Sequence, residues 1–197
     1  MSSHEPLDAQ MTRTALTASG TPVTLRPLRH DDAAALGDYL TGLSDTTRSF
    51  WGPHGFSHET ACEICSGLAA DRVLRLIARM DVDGKERIVA YFLLHRGARA
   101  SDAERYAARG IWLDDARDAA LAPSVADAFQ NQGIGGILMA HTLEVARRLG
   151  RSRVVLWDGV QARNARGIHF YTKWGFRCVG EFTTRVLNYD MILELEP

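Results

Sequence analysis

Cysteine is scarce in this sequence of 197 residues, with only Cys62, Cys65 and Cys178 present. So low and odd a count excludes a disulfide framework and predicts a reducing, cytoplasmic setting. Cys62 and Cys65 form a C-x-x-C, but no second ligand pair follows at a zinc-site spacing, so no metal is expected. The pair is expected instead as buried core on one face of a helix over 57–70, beside Ala61, Leu68 and Ala69. No apolar run approaches the ~20 residues needed to span a bilayer. The first ten residues lack the basic stretch and apolar stretch of a secretion signal. A charge excess is missing as well: 23 basic residues meet 24 acidic ones, net −1, so no overall field draws the chain to nucleic acid or an anionic membrane. No internal repeat or low-complexity segment occurs. What is left, 46% hydrophobic and 24% charged residues, is ordinary for a soluble globular protein. It predicts a disordered leader at 1–11 and a single domain over 12–197.

Glycine is concentrated where it carries information. Gln130-Asn131-Gln132-Gly133-Ile134-Gly135-Gly136 lies between a strand-like apolar run (119–126) and a strong helix pattern (135–149). A strand, a Gly-rich loop and a helix N-terminus in succession leave N–H groups unpaired and add the positive end of the helix dipole. Such a site suits a phosphate or pyrophosphate. A mononucleotide site of the P-loop kind is disfavoured because no Gly-Lys-Ser/Thr follows. The short Gly-x-Gly-x-x-Gly turn of a dinucleotide fold is also missing.

Along the rest of the chain, two short strands are expected within 14–28, then a helix over 33–43 opened by Asp31 or Asp32. Residues 44–56 read as a loop. Ser57 caps the next helix. Strands over 72–80 and 86–95 flank an Asp81-Val-Asp-Gly84 hairpin turn. Residues 96–117 are charged and poorly periodic, a loop or short helix. Pro123 marks the following strand as irregular and near an edge. In the helix after the glycines, Ile134, Leu138, Val145 and Leu149 fall on one stripe, and Gly150 stops it. A buried strand over 153–157, a short helix from Asn164 to Trp174 and two final strands, 176–182 and 186–195, complete the chain. The order predicts a mixed α/β fold around one central sheet.

Two motifs now stand at a telling separation. Gln130-Asn131-Gln132-Gly133-Ile134-Gly135 is followed about 30 residues later by Asn164, Gly167, Phe170-Tyr171 and Gly175-Phe176. With the opening Leu25-Arg-Pro-Leu-Arg-His-Asp-Asp, this resembles the GNAT-type acyl-CoA N-acetyltransferases, from about Val23 to Leu195. The resemblance implies a mostly antiparallel sheet of six to seven strands with a splayed central pair and about four flanking helices. It implies acetyl-CoA as co-substrate, no metal, and a small-molecule or peptide amine as acceptor, and it leaves a homodimer open. Backbone amides from Gln132 through Gly133, Ile134, Gly135 and Gly136 to Ile137 would hold the coenzyme A pyrophosphate. The backbone of Ser124, Val125 and Ala126 would pair with the pantetheine arm, and the Val125 N–H would face the developing oxyanion. Tyr171 is where the family keeps the acid for the departing thiolate.

Plainer readings stand beside these. Tyr171 suits a core or boundary position beside Phe170. Asn164 is an ideal N-cap as well as a cofactor contact, and Gln130 closes the loop or binds. The family's usual Glu base falls on Ala119, with Asp118 expected on the opposite face. Asp158, Glu181, a water chain or no base at all remain as alternatives, and the missing Glu keeps open a non-catalytic acyl-CoA-binding module. The acceptor pocket is expected from the first two helices and the loops 44–56 and 96–117. There Phe50, Trp51 and His54 give an aromatic edge, and Asp45, Asp114 or Asp115 offers charge.

Overall fold

The computed structural model describes residues 10–68 and 72–195. The expected leader therefore falls outside the described residues except for Gln10 and Met11, and Met11 is buried. The described residues form nine strands in one mostly antiparallel sheet and six α-helices, more of each than the sequence predicts. The added elements are short, or lie where turn residues hide them. The chain packs as two compact units, one up to Leu93 plus Pro123–Val145, the other Leu94–Ala122 plus everything from Ala146.

In the first unit, β1 (Arg13–Leu16) and β2 (Pro22–Pro27) form an antiparallel pair, and β2 pairs in turn with β3 (Val73–Val82). β4 (Lys85–Arg96) follows through a tight turn in which Asp83 and Gly84 both take positive φ, 56° and 76°. Glycine suits that conformation, and Asp81 Oδ1 accepts the Gly84 N–H at 2.9 Å. The unbroken apolar run 88–94 of β4 is buried throughout, as a strand covered on both faces requires. Three of this unit's helices precede β3 in the chain: α1 (Ala33–Gly42), α2 (Asp45–Phe50) and α3 (His58–Ser66). α2 lies inside the expected loop, where Ser44 accepts the Thr47 N–H as an N-cap and Asp45 favours the dipole. Asp32 is buried and takes both ends of the Arg26 guanidinium at 2.6 and 2.7 Å. Burial alone would raise its carboxyl, but the Arg26 hydrogen bonds, the Arg29 N–H and the charges of Arg26 and Arg79 hold it below the usual range. Cys65 is buried, and burial pushes its thiol up to about 11. Cys62 is exposed, contrary to the expectation that both cysteines are core; three residues of helix turn it past the edge of the packed face.

In the second unit, α4 (Ala100–Ala107) occupies part of the 96–117 stretch. Its Tyr106 is fully enclosed in a core with Ala120, Val155 and Ile192 and donates its hydroxyl to Met191 O at 2.8 Å. β5 (Asp118–Val125) runs parallel to β6 (Arg153–Leu156), and β6 lies antiparallel to β9 (Leu187–Glu194). The two-residue β7 (Val160–Gln161) and β8 (Arg177–Thr183) also pair with β9. Buried charge is matched by hydrogen bonds. Asp190 faces Arg105 and Arg109, and Asp118 takes Arg153 at 2.6 and 2.7 Å.

Asp102 is the exception. It is fully enclosed; Oδ1 accepts from Arg105 and the Asp158 N–H, whereas Oδ2 has no partner among the described residues. Burial, eased by Arg105 and reinforced by Asp158, pushes its carboxyl up to about 6 from 3.8. The folded value exceeds the unfolded one, so the native state takes up the proton first, and its stability falls as pH rises from 3.8 to 6. Urea midpoints at pH 5 and pH 7 check this. The wild type is expected to lose stability relative to Asp102→Asn between the two, and a constant difference would contradict the assignment.

Candidate functional site

The Gly-rich loop follows β5 through a short 3₁₀ turn (Asp127–Phe129) and leads into α5 (Ile134–Arg148), a fifteen-residue helix. The chain enters the helix through two left-handed residues, Asn131 at φ 62° and Gly133 at φ 81°, and a glycine takes the second without strain. The first helical hydrogen bond is made by Ile137, whose N–H donates to Gly133 O at 3.0 Å. The amides of Gln132, Gly133, Ile134, Gly135 and Gly136 have no backbone partner among the described residues. Five consecutive free N–H groups at the positive end of a helix fit a pyrophosphate. Ile137 corrects the expectation, because its amide is already committed.

The side chains of the motif hold the loop. Gln130 Nε2 donates to Val125 O at 2.9 Å and to Thr47 Oγ1 at 3.3 Å, and Gln132 Nε2 donates to Ala128 O at 2.8 Å. The loop-closing reading of Gln130 is therefore what the geometry displays. Asp127 ties the same region to α2, accepting from the Ser44 N–H and hydroxyl and from Thr47 Oγ1 at 2.7–2.9 Å. Sequence reasoning missed this contact. The signal was Ser44-Asp45, a helix start obscured by Gly52, Pro53 and Gly55 further along.

β5 itself is half laddered. Its parallel register with β6 ends at Leu121↔Leu156, closed by the Trp157 N–H on Leu121 O at 2.9 Å, while the strand continues to Val125. At its other end the Ala126 N–H donates to Val89 O at 2.9 Å. Successive N–H groups of a strand alternate between its edges, so the Val125 N–H points away from β4. Pro123, two residues before, falls on that same edge, where its missing N–H breaks no bond to β4. Ser124 is buried, its hydroxyl bonded to Tyr39 Oη at 2.6 Å and Tyr91 O at 3.2 Å, and by the same alternation its backbone and that of Ala126 face β4, which corrects the expectation that both would meet a ligand.

Asn164 and Tyr171 belong to the second unit, on α6 (Ala165–Lys173). Asn164 Oδ1 accepts the Gly167 N–H at 2.9 Å, an N-cap. Tyr171 is half-buried between the rings of Phe170 and Phe176, with centroids 5.7 and 5.6 Å away. Its hydroxyl has no partner among the described residues, and burial pushes the phenol above its ordinary value. The candidate bases fare poorly. Ala119 is fully enclosed, Asp118 is spent on Arg153, and Asp158 is held by Arg99 and Ser101. Glu181 is exposed on β8. Among the described residues, no group of three or more His, Cys, Asp or Glu gathers as a metal site, and no helix is long and apolar enough to cross a membrane.

Three likenesses bear on this geometry. Acetyltransferase PA5475 of Pseudomonas aeruginosa is 27% identical over 151 residues, covering 76% of this chain and 73% of that protein. The fold is shared with the GNAT domain of S. lividans PAT, at TM-score 0.74 and 19% identity over 96% of this chain and 100% of that one. It is shared as well with yncA of Salmonella typhimurium, solved with its cofactor acetyl-CoA, at TM-score 0.62 and 18% identity over 89% and 95%. The sequence pattern of the Acetyltransferase (GNAT) family matches residues 43–176, a span that takes in both the Gly-rich loop and the segment from Asn164 to Phe176. The chain belongs to the acetyltransferase (GNAT) family, whose reaction is acyl transfer.

Proposed function

We propose that this protein is an acetyl-CoA-dependent N-acetyltransferase, with residues 12–197 as one domain, that moves an acetyl group onto a primary amine of a small molecule or protein by direct attack in a ternary complex. The observation that carries the reading is the run of five unpartnered amides, Gln132 to Gly136, at the start of α5. The solved relative with acetyl-CoA supports the choice of guest. Acetyl-CoA supplies a thioester carbonyl that an amine attacks. The loop amides hold its pyrophosphate, and the backbone edge of β5 at Val125 lines its pantetheine arm. The Val125 N–H is the donor assigned to the charge that develops on the carbonyl oxygen. Tyr171 keeps its proton at neutral pH because its surroundings disfavour the phenolate, and it delivers that proton to the leaving sulfur. Holding donor and acceptor together supplies most of the rate.

Thiol release from acetyl-CoA in the presence of tyramine, spermidine and a peptide with a free N-terminus tests this, with products identified by mass spectrometry. Sequential kinetics and an N-acetylated product are expected. An acetyl-enzyme that accumulates before the amine is added would contradict direct attack.

A further inference from the structure

The last peptide of β5 is fixed from both sides by residues of the first unit. On the β4 side the Ala126 N–H donates to Val89 O at 2.9 Å, and the Ser124 hydroxyl donates to Tyr91 O at 3.2 Å. A strand residue turns its own N–H and C=O to one edge, so the Val125 carbonyl lies beside the Val125 N–H, on the edge away from β4. There Gln130 Nε2 donates to Val125 O at 2.9 Å. Gln130 thus occupies the acceptor of that edge and leaves the donor.

The Gln130 amide is itself held in one orientation. A carbonyl oxygen only accepts, so the NH2 of Gln130, and not its oxygen, faces Val125. Nε2 also donates to Thr47 Oγ1 at 3.3 Å. Thr47 has one hydroxyl hydrogen and gives it to Asp127 Oδ1 at 2.7 Å, which leaves its lone pairs for Gln130. Asp127 also accepts from the Ser44 hydroxyl at 2.7 Å and the Ser44 N–H at 2.9 Å. Burial would raise the Asp127 carboxyl, but the Ser44 N–H and the hydroxyls of Ser44 and Thr47 hold it below the usual range. A relay therefore runs from α2 to the end of β5: Asp127 carboxylate, Thr47 hydroxyl, Gln130 amide, Val125 carbonyl. Thr47 is buried and lies 83 positions from Gln130. Closing the loop needs no such reach, because Gln132 Nε2 already ties it to Ala128 O, four positions away, at 2.8 Å.

We infer that Gln130 is a positioning residue of the transfer, with Thr47 and Asp127 as its support: its amide aims the Val125 peptide so that the Val125 N–H meets the thioester carbonyl oxygen. The inference rests on the N-acetyltransferase reading. Gln130 touches neither reacting atom. It acts through Val125, because a donor fixed before the charge appears needs no reorganisation when it does. A peptide free to rock loses part of that advantage. The free amides of Gln132 to Gly136 lie outside the relay, so turnover and cofactor affinity respond separately.

The test compares wild type with Gln130→Met, Thr47→Val and Thr47→Ser, using acetyl-CoA and the amines named above. Methionine matches glutamine in length and lacks its donors. Valine matches threonine in shape and lacks the hydroxyl, which serine keeps. Gln130→Met is expected to lower kcat ~10–100-fold, as for a loosened oxyanion donor, with calorimetric acetyl-CoA affinity changed less than about 3-fold. Thr47→Val is expected to lose turnover in the same way, to a smaller extent, and Thr47→Ser to keep it. A space-filling role predicts the opposite order, since valine fills the site and serine does not. The carbonyl stretch of bound isotope-labelled acetyl-CoA is expected to move towards its free value in Gln130→Met. Wild-type kcat in Gln130→Met, or a loss of affinity equal to the loss of kcat, overturns the inference and leaves the N-acetyltransferase reading standing. Turnover in Thr47→Val at or above that of Thr47→Ser does the same, and this pair decides alone if Gln130→Met does not fold. Acetyl-CoA binding by wild type without transfer to any amine, or no binding at all, defeats that reading and the inference with it.

Discussion

Tyr171→Phe is expected to cut turnover by about 10²–10³-fold, within the range for removing a positioned acid, while leaving acetyl-CoA affinity unchanged. The substitution removes a single oxygen. That oxygen holds nothing together, because no hydrogen bond ties the hydroxyl to the described residues. Phe170 and Phe176 pack against the ring and would pack against phenylalanine in the same way. A stability effect below ~0.5 kcal/mol is therefore expected, and the thermal midpoint checks it. Burial matters to the sign of the pH effect. Because the phenol is raised, it remains protonated throughout the neutral range, and no basic limb from Tyr171 is expected below pH 10. Full activity in Tyr171→Phe would remove the residue from the mechanism and leave it as a boundary tyrosine of α6.

Gly136→Asp is expected to weaken acetyl-CoA binding at least ~30-fold, about 2 kcal/mol, with the fold intact or slightly more stable. Gly136 is the third residue of α5, and its amide belongs to the free run. A carboxylate there meets the positive end of the helix, which favours an anion by about 0.3–1 kcal/mol. Replacing a helical glycine also recovers a few tenths of a kcal/mol. The same negative charge occupies the place assigned to the pyrophosphate and repels it. Stability and affinity thus move in opposite directions, a combination that simple damage to the loop would not produce. Calorimetric affinity and a urea midpoint on one preparation decide it; equal acetyl-CoA affinity in the variant would place the phosphates elsewhere.

Much of this fold was legible because local signals agreed with one another. The run 88–94 is apolar without a break and is buried without a break, and Asp83-Gly84 makes the turn its residues demand. The helix after the glycines buries the stripe of Ile134, Leu138 and Val145. What the sequence concealed depends on partners far along the chain. α4 reads as polar because Asp102 and Arg105 interrupt its apolar face, yet Asp102 is enclosed and Arg105 reaches Asp190, 85 positions away. α2 was masked by the glycines and proline that follow it. In the candidate site, the loop–helix junction was visible from glycine spacing and loop closure by Gln130 was one of its two readings, but the commitment of the Ile137 amide was not visible.

Calorimetric titration with acetyl-CoA, run beside dephospho-CoA and ATP, tests the central claim most directly. Saturable micromolar binding is expected for acetyl-CoA and for dephospho-CoA, both of which carry the pantetheine arm and the pyrophosphate, and much weaker binding for ATP. Failure of acetyl-CoA to bind, or equal binding of ATP, would contradict it and return residues 130–136 to an ordinary turn at the start of a helix.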